Sequence, residues 1–309
     1  MSNGPPWYEE FLIAGMSAVG SICFTNPIDV VKTRMTLQGQ GGTTAYPNVF
    51  SALVRIGREE GLAGLQRGLP ASCLWQFSNV SVRFGVYSVA KSKAGVDEAS
   101  PFAKWLASLG LAGLSGGLAA LASNPFFILK TRFQAQGGAA IGDQHALSGG
   151  LVGTFMDIGR TDGPSGYMRG ISAFAPRVIV ASAVQLSTYD LVKEGLRSRF
   201  DALREGLPLV VASSFVTGLA VVAAMQPFDF AATRLVNSRT AAELSTGGGK
   251  GGGAQYTGPL DVLRQTIRSE GILGVYRGSV ANYLRFGPYC VLVFVFVEQG
   301  RVLAKALRA

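Results

Sequence analysis

Arg83, Arg177 and Arg285 are the residues of this chain best equipped to hold a solute, because each interrupts a long stretch of mostly uncharged sequence. A guanidinium is permanently charged, and its planar fork of donors matches carboxylate, sulfate or phosphate in two-point contact. Arg177 and Arg285 stand seven residues beyond Gly170 and Gly278, and Trp75 holds the same place beyond Gly68, with Gln76 beside it. Eight residues further come Arg83, Gln185 and Val293, about 12 Å along the same helices. No acid sits at comparable depth in these stretches. The arginines are therefore expected to leave positive charge unbalanced, and an anion to complete the site.

The elements that carry these residues come in three copies. PIDVVKTR begins at Pro27, PFFILKTR at Pro125, and QPFDFAATR contains Pro227, so the prolines recur at intervals of 98 and 102 residues. A second landmark follows in each copy: EGLAGLQRG (60–68), DGPSGYMRG (162–170) and EGILGVYRG (270–278). Two landmarks in fixed order make the chain three repeats of one unit, placed at 1–98, 99–204 and 205–309. Hydrophobic residues make up 48% and charged residues 15% of the 309, with 41 glycines, which is a membrane composition rather than a soluble one.

Each copy offers two stretches long enough to cross about 30 Å of hydrocarbon at 1.5 Å per residue. The expectation is six transmembrane helices near 8–37, 69–92, 102–135, 171–196, 207–237 and 279–304. Pro27, Pro125 and Pro227 should kink the odd ones, since proline removes a donor and crowds the preceding turn. Ala14 and Ala18, Ala112 and Gly116, and Ser214 and Gly218 recur at one offset before the prolines. Small residues four apart let membrane helices approach closely. Between the spans, pieces such as Val49 to Glu59 have the apolar spacing of amphipathic surface helices.

Two or so residues past each proline lie Asp29 and Lys32, Phe127 and Lys130, and Asp229 and Ala232, three apart and so on one helix face. If the three odd helices close into a ring, one cyclic order pairs Asp29 with Lys130, Asp229 with Lys32 and Phe127 with Ala232. The opposite order leaves Asp29 facing Ala232 and Lys32 facing Phe127, two charges without partners at membrane depth. Charge complementarity selects the first order.

Several classes fall away. Cys23, Cys73 and Cys290 lie inside the spans without metal spacing, and His145 is the single histidine, so neither a disulfide framework nor a metal or cofactor site is expected. An enzyme would need a nucleophile and base within reach, and His145 has no visible partner. The net charge of +9 is dispersed without a nucleic-acid-binding fold and suits anionic lipid and anionic solute instead. Gly247–Gly253 around Lys250 lacks the hydroxyl residue of a phosphate loop. MSNGPPWYEE is acidic and unlike a cleavable presequence, so targeting is expected to be internal.

The repeated motifs and their threefold arrangement resemble the mitochondrial carrier (solute carrier 25) family over essentially the whole chain. The resemblance implies an all-α membrane protein of the mitochondrial inner membrane: a pseudo-threefold bundle around a cavity that opens alternately to either side, working as a monomer, with cardiolipin among its lipids. It implies that Arg177, Arg285, Arg83, Gln76, Trp75 and Val178 contact substrate. It makes Asp29, Lys32, Phe127, Lys130, Asp229 and Ala232 a matrix gate, with two ion pairs and one apolar contact. YSVAK, YDLVK and VEQGR are similar to the family's cytoplasmic gate, in which Asp190 pairs with Arg301, Glu298 pairs with Lys91, and Lys193 lacks a strong partner. FTNPIDVVKTRMTLQ, APRVIV and Arg83 look most like the branch containing the fungal oxaloacetate carrier. A dicarboxylate, a keto acid or a sulfate-like oxyanion is the expected cargo, moved by exchange. A nucleotide or phosphate carrier, or an adaptor that keeps the scaffold without transport, is the alternative.

Overall fold

A computed structural model describes residues 7–38, 46–93, 101–137, 149–199, 207–238 and 256–306, and within them the secondary structure is helical. The first copy contributes α1 (Trp7–Leu37), α2 (Val49–Glu59), the short α3 (Gly61–Leu65) and α4 (Leu69–Lys93). The second contributes α5 (Pro101–Ala135), α6 (Gly150–Thr161), the short α7 (Gly163–Gly166) and α8 (Ile171–Arg199). The third contributes α9 (Leu207–Asn237), α10 (Pro259–Glu270), a 3-10 turn (Ile272–Tyr276) and α11 (Ser279–Ala306).

Six of these helices are long, but they are not alike. Only α1, α5 and α9, among the described residues, contain windows apolar enough to cross a membrane on composition: Phe11–Leu37, Gly110–Ala135 and Ala212–Asn237. One of the two stretches expected in each copy thus meets the composition of a span. α4, α8 and α11 have 25, 29 and 28 residues, ample length for a hydrocarbon core, but the polar and charged residues within them lower their hydropathy.

Pro27, Pro125 and Pro227 lie inside continuous helices. Proline leaves the carbonyl four residues back without its helical donor. At Pro27 that carbonyl is Cys23 O, and Gln66 Nε2 donates to it at 3.1 Å. The residue before each proline makes the complementary connection. Asn26 Nδ2 donates to Leu65 O and Arg67 O, Asn124 Nδ2 to Tyr167 O and Arg169 O, and Gln226 Nε2 to Arg277 O. In every copy the proline segment thereby grips the basic-glycine landmark of its own repeat.

The amphipathic segments bury one face each: Val49, Ala52 and Ile56 on α2, Thr154 and Ile158 on α6, Val262 and Thr266 on α10. The glycine closing each second landmark has positive φ and seats against the next copy. A side chain built on Gly68 would lie 3.3 Å from Lys130 O, on Gly170 3.5 Å from Ala232 O, and on Gly278 3.2 Å from Lys32 O. Glycine is thus required twice over, by backbone geometry and by contact. Each even helix starts against Lys130, Ala232 or Lys32 of the following odd helix.

The small-residue seams hold in part. Ala14 and Ala18 are buried against Val80 of α4, and a Cβ on Gly116 would meet Val178 Cγ1 at 2.5 Å. In the third copy Gly218 is buried as expected but Ser214 is exposed, and Ser213 and Thr217 are the other buried small residues there. Helix rotation, not offset from the proline, decides which neighbour faces inward.

Candidate functional site

One pocket gathers residues from all three copies: Asp29, Lys32 and Thr33 of α1, Trp75 of α4, Phe127, Lys130, Thr131 and Gln134 of α5, Arg177 of α8, Asp229 and Thr233 of α9, and Arg285 of α11. Lys130 Nζ donates to Asp29 Oδ2 at 2.9 Å, and Lys32 Nζ donates to Asp229 Oδ2 at 2.9 Å. Phe127 and Ala232 share one buried apolar cluster with Phe174 and Phe230. The three odd helices thus meet in the order that charge complementarity selects.

The arginines sit differently from the sequence expectation. Arg177 Nε lies 2.6 Å from Asp229 Oδ1, and Arg285 Nε lies 3.0 Å from Asp29 Oδ1. Both are ion pairs without hydrogen-bond alignment at Nε. The inference that no acid reaches the depth of these arginines is therefore corrected. Depth along a single helix does not show how far a long side chain extends towards the neighbouring copy.

The result is a repeated triad. Each aspartate holds a lysine from another odd helix on Oδ2 and an arginine from the preceding copy's even helix on Oδ1. Asp229 also accepts from Asn282 Nδ2 at 3.0 Å. At the third position all the charges are missing together: Phe127 stands where the acid would be, Ala232 in place of the lysine and Trp75 in place of the arginine. Trp75 and Phe127 pack with ring centroids 5.9 Å apart, and Phe127 and Phe174 at 5.1 Å. Four cations nevertheless face two carboxylates, so the pocket holds two positive charges in excess. Lys130 Nζ lies 4.2 Å from the centre of the Trp75 ring, a cation-π contact that offsets part of its lost hydration.

The remaining candidates divide. Trp75 is 7% exposed and its Nε1 has no hydrogen-bond partner, so it joins the pocket chiefly as packing. Gln76 donates to Tyr289 Oη, linking α4 to α11, while the Arg285 guanidinium lies 5.8 Å from the Tyr289 ring. Val178 is turned to Gly116 of α5 and is a packing residue, not a pocket contact. Arg83 is exposed, with its guanidinium 5.8 Å from the Phe84 ring, and stands outside the charged pocket. Of the three expected arginines, Arg177 and Arg285 line this pocket.

Just beyond the pocket lies a second ring that the sequence reading missed. Arg34, fully buried, donates to both carboxylate oxygens of Glu60 and, at 3.2 and 2.7 Å, to Gln134 O and Gln136 O of the next copy. Arg234 donates to Glu270 Oε1 at 2.8 Å and to Thr36 O and Gln38 O at 3.2 and 3.0 Å. Arg132 Nη2 lies 3.8 Å from Asp162 Oδ2. The signal was available, since this arginine stands seven residues past each proline and its acid opens each second landmark.

Residues 3–96, 102–200 and 205–306 each match the family model described as mitochondrial carrier protein. The chain belongs to the mitochondrial carrier family. The family consists of transporters of small solutes, not enzymes. This carrier is 38% identical to human solute carrier family 25 member 35 over 95% of its own length and 98% of the relative's. It is 32% identical to kidney mitochondrial carrier protein 1 of Xenopus laevis over 96% and 98%. Against the mitochondrial oxaloacetate transport protein of Saccharomyces cerevisiae the identity is 31%, over 98% and 91%.

At the other end of the carrier, Lys193 Nζ lies 6.0 Å from the Tyr189 ring and Arg301 is exposed. The side chains of Lys91, Asp190 and Glu298, with which these residues would form a second gate, lie outside the described residues, as do His145 and Gly247–Gly253. Cys23 and Cys73 are free thiols within α1 and α4.

Proposed function

We propose that this carrier spans the mitochondrial inner membrane with its six long helices and moves a small anionic metabolite, a dicarboxylate or keto acid such as oxaloacetate or a sulfate-like oxyanion, by alternating access. The observation that carries the reading is the surplus of two positive charges where Lys32, Lys130, Arg177 and Arg285 face Asp29 and Asp229. Ionisable side chains inside spans are costly and act on ions or solutes that lower that cost. An anion does so here, and a cation or neutral sugar does not. The name of the yeast relative lends weight to oxaloacetate among the candidate cargoes.

In this mechanism Asp29–Lys130, Lys32–Asp229 and Phe127 with Ala232 form the matrix gate, and Lys91, Asp190, Lys193, Glu298 and Arg301 the opposite one. Pro27, Pro125 and Pro227 give the odd helices places to bend. One chain completes the pathway, so the monomer is the working unit, with cardiolipin as a lipid partner. Purified protein screened by thermal shift against dicarboxylates, keto acids, sulfate, thiosulfate, phosphate and nucleotides, followed by flux of the best stabiliser in proteoliposomes, tests this. Stabilisation and exchange of a small dianion are expected. Stabilisation by cations or neutral sugars alone, or binding without flux, would sink the reading.

A further inference from the structure

We propose that Cys23 and Cys73 are a thiol pair that a hydroperoxide closes into a disulfide, tying α1 to α4 at the proline joint of the first copy and slowing transport until a reductant reopens it. The link itself needs no cargo, whereas its effect on flux rests on the transport reading.

Cys23 lies one helical turn before Pro27, and its carbonyl is the one to which Gln66 Nε2 donates at 3.1 Å. Cys73 follows Ser72, whose Oγ donates to Asn26 Oδ1 at 3.1 Å across the same seam. These bonds draw the segments that carry the cysteines together, and the two thiols are themselves in side-chain contact. A disulfide needs that arrangement, neighbouring backbones with thiols turned to each other. Ile22, Ala71 and Ser72 beside them are fully buried, whereas Phe24 and Leu74 are exposed. The pair, partly exposed, therefore stands at the outer rim of the seam. In a membrane that rim meets hydrocarbon, which admits a small uncharged hydroperoxide and excludes a charged oxidant such as oxidised glutathione. The matching positions hold Leu121 and Ala175 in the second copy and Ala223 and Tyr283 in the third, so this chemistry belongs to the first copy alone.

One thiolate attacks the hydroperoxide, the O–O bond breaks, and a sulfenic acid and an alcohol result. The second thiol then attacks the sulfenic sulfur, the S–S bond forms, and the hydroxide leaves as water with the second thiol's proton. The two thiols lose two electrons and two protons, and the hydroperoxide is reduced to alcohol and water. A bend of α1 at Pro27 shifts the turn bearing Cys23 against α4, and a covalent bridge resists that shift. Asp29 and Lys32, just past the same proline, are then held in one arrangement.

Purified full-length protein treated with tert-butyl hydroperoxide and digested without reductant is expected to yield, by mass spectrometry, one disulfide-linked pair of peptides carrying Cys23 and Cys73. In proteoliposomes the same treatment should lower initial uptake of labelled succinate, or of labelled sulfate where succinate is not taken up, by about tenfold. Dithiothreitol should restore uptake, and oxidised glutathione should leave it unchanged. Cys23→Ser and Cys73→Ser should each transport like untreated wild type and lose the sensitivity, while Cys290→Ser should keep it. Absence of the linked peptide from treated wild type overturns the proposal. So does a link that leaves uptake unchanged, inhibition that persists in both serine variants, or equal inhibition by oxidised glutathione. Two serine variants guard against one failing to fold. If untreated protein takes up no anion, it is the transport reading that fails, and the linked peptide with a raised unfolding temperature still decides for or against the joint.

Discussion

Exchanging the charges of Asp29 and Lys130 probes the proposed matrix gate most directly. Asp29 and Lys130 side chains are 4% and 8% exposed, so their pair lies in a desolvated setting where loss of one partner costs about 3–5 kcal/mol. Asp29→Lys removes the carboxylate from both Lys130 and Arg285 and adds a third cation beside them. A cost of that size lowers the population of the proposed closed gate by roughly two to four orders of magnitude, and initial uptake of labelled anion by proteoliposomes should fall at least tenfold. Lys130→Asp in the same protein restores the opposite-charge pair between α1 and α5 but does not return Arg285 to its original partner. Recovery should be partial, with a coupling free energy of about 2 kcal/mol, roughly thirtyfold in rate. Additive defects in the double variant would refute the pairing, and full recovery would show that the Arg285 contact contributes nothing.

Three other outcomes are expected. Arg34→Lys and Arg234→Lys keep the charge but lose at least two of the bonds each guanidinium makes, on the order of 2–3 kcal/mol, and should lower the unfolding temperature of detergent-solubilised protein; unchanged unfolding temperatures would contradict the role of these bonds. Gly278→Ala places a side chain at φ 83°, 2.8 Å from Thr36 Oγ1, and should cost about 1–2 kcal/mol from the left-handed backbone alone, visible as a lower unfolding temperature. Gln76→Leu and Tyr289→Phe remove the same bond, so the double variant should change substrate affinity no more than the stronger single; additivity would show that the two side chains act apart.

Much of the matrix end was legible because threefold repetition turns a folding problem into a comparison of offsets. Asp29, Lys130, Asp229 and Lys32 could be matched without coordinates, since only one cyclic order leaves no buried charge stranded. The same comparison extended to Trp75, Arg177 and Arg285 would have linked the missing arginine to the missing acid at Phe127, a correlation that becomes evident once side chains are seen crossing between copies. Arg34 with Glu60 was hidden for a related reason: the partners belong to two landmarks read separately. Rotation about a helix axis was the poorest guess. Val178 beside Gly116, and Ser213 inward where Ser214 was expected, are each one residue from a pocket or seam, and one residue turns a side chain by about 100°.

Of the three joints between the odd helices, two neutralise charge and the third stacks hydrocarbon, where Phe127 lies among Trp75, Phe174 and the α9 segment around Ala232. A transmembrane voltage pulls on charges and has no purchase on apolar rings. An arriving anion likewise has nothing to exchange with there. In the proposed cycle the seam between α5 and α9 is therefore the one that neither voltage nor cargo loosens, the spine of a book whose two charged edges are its free margins.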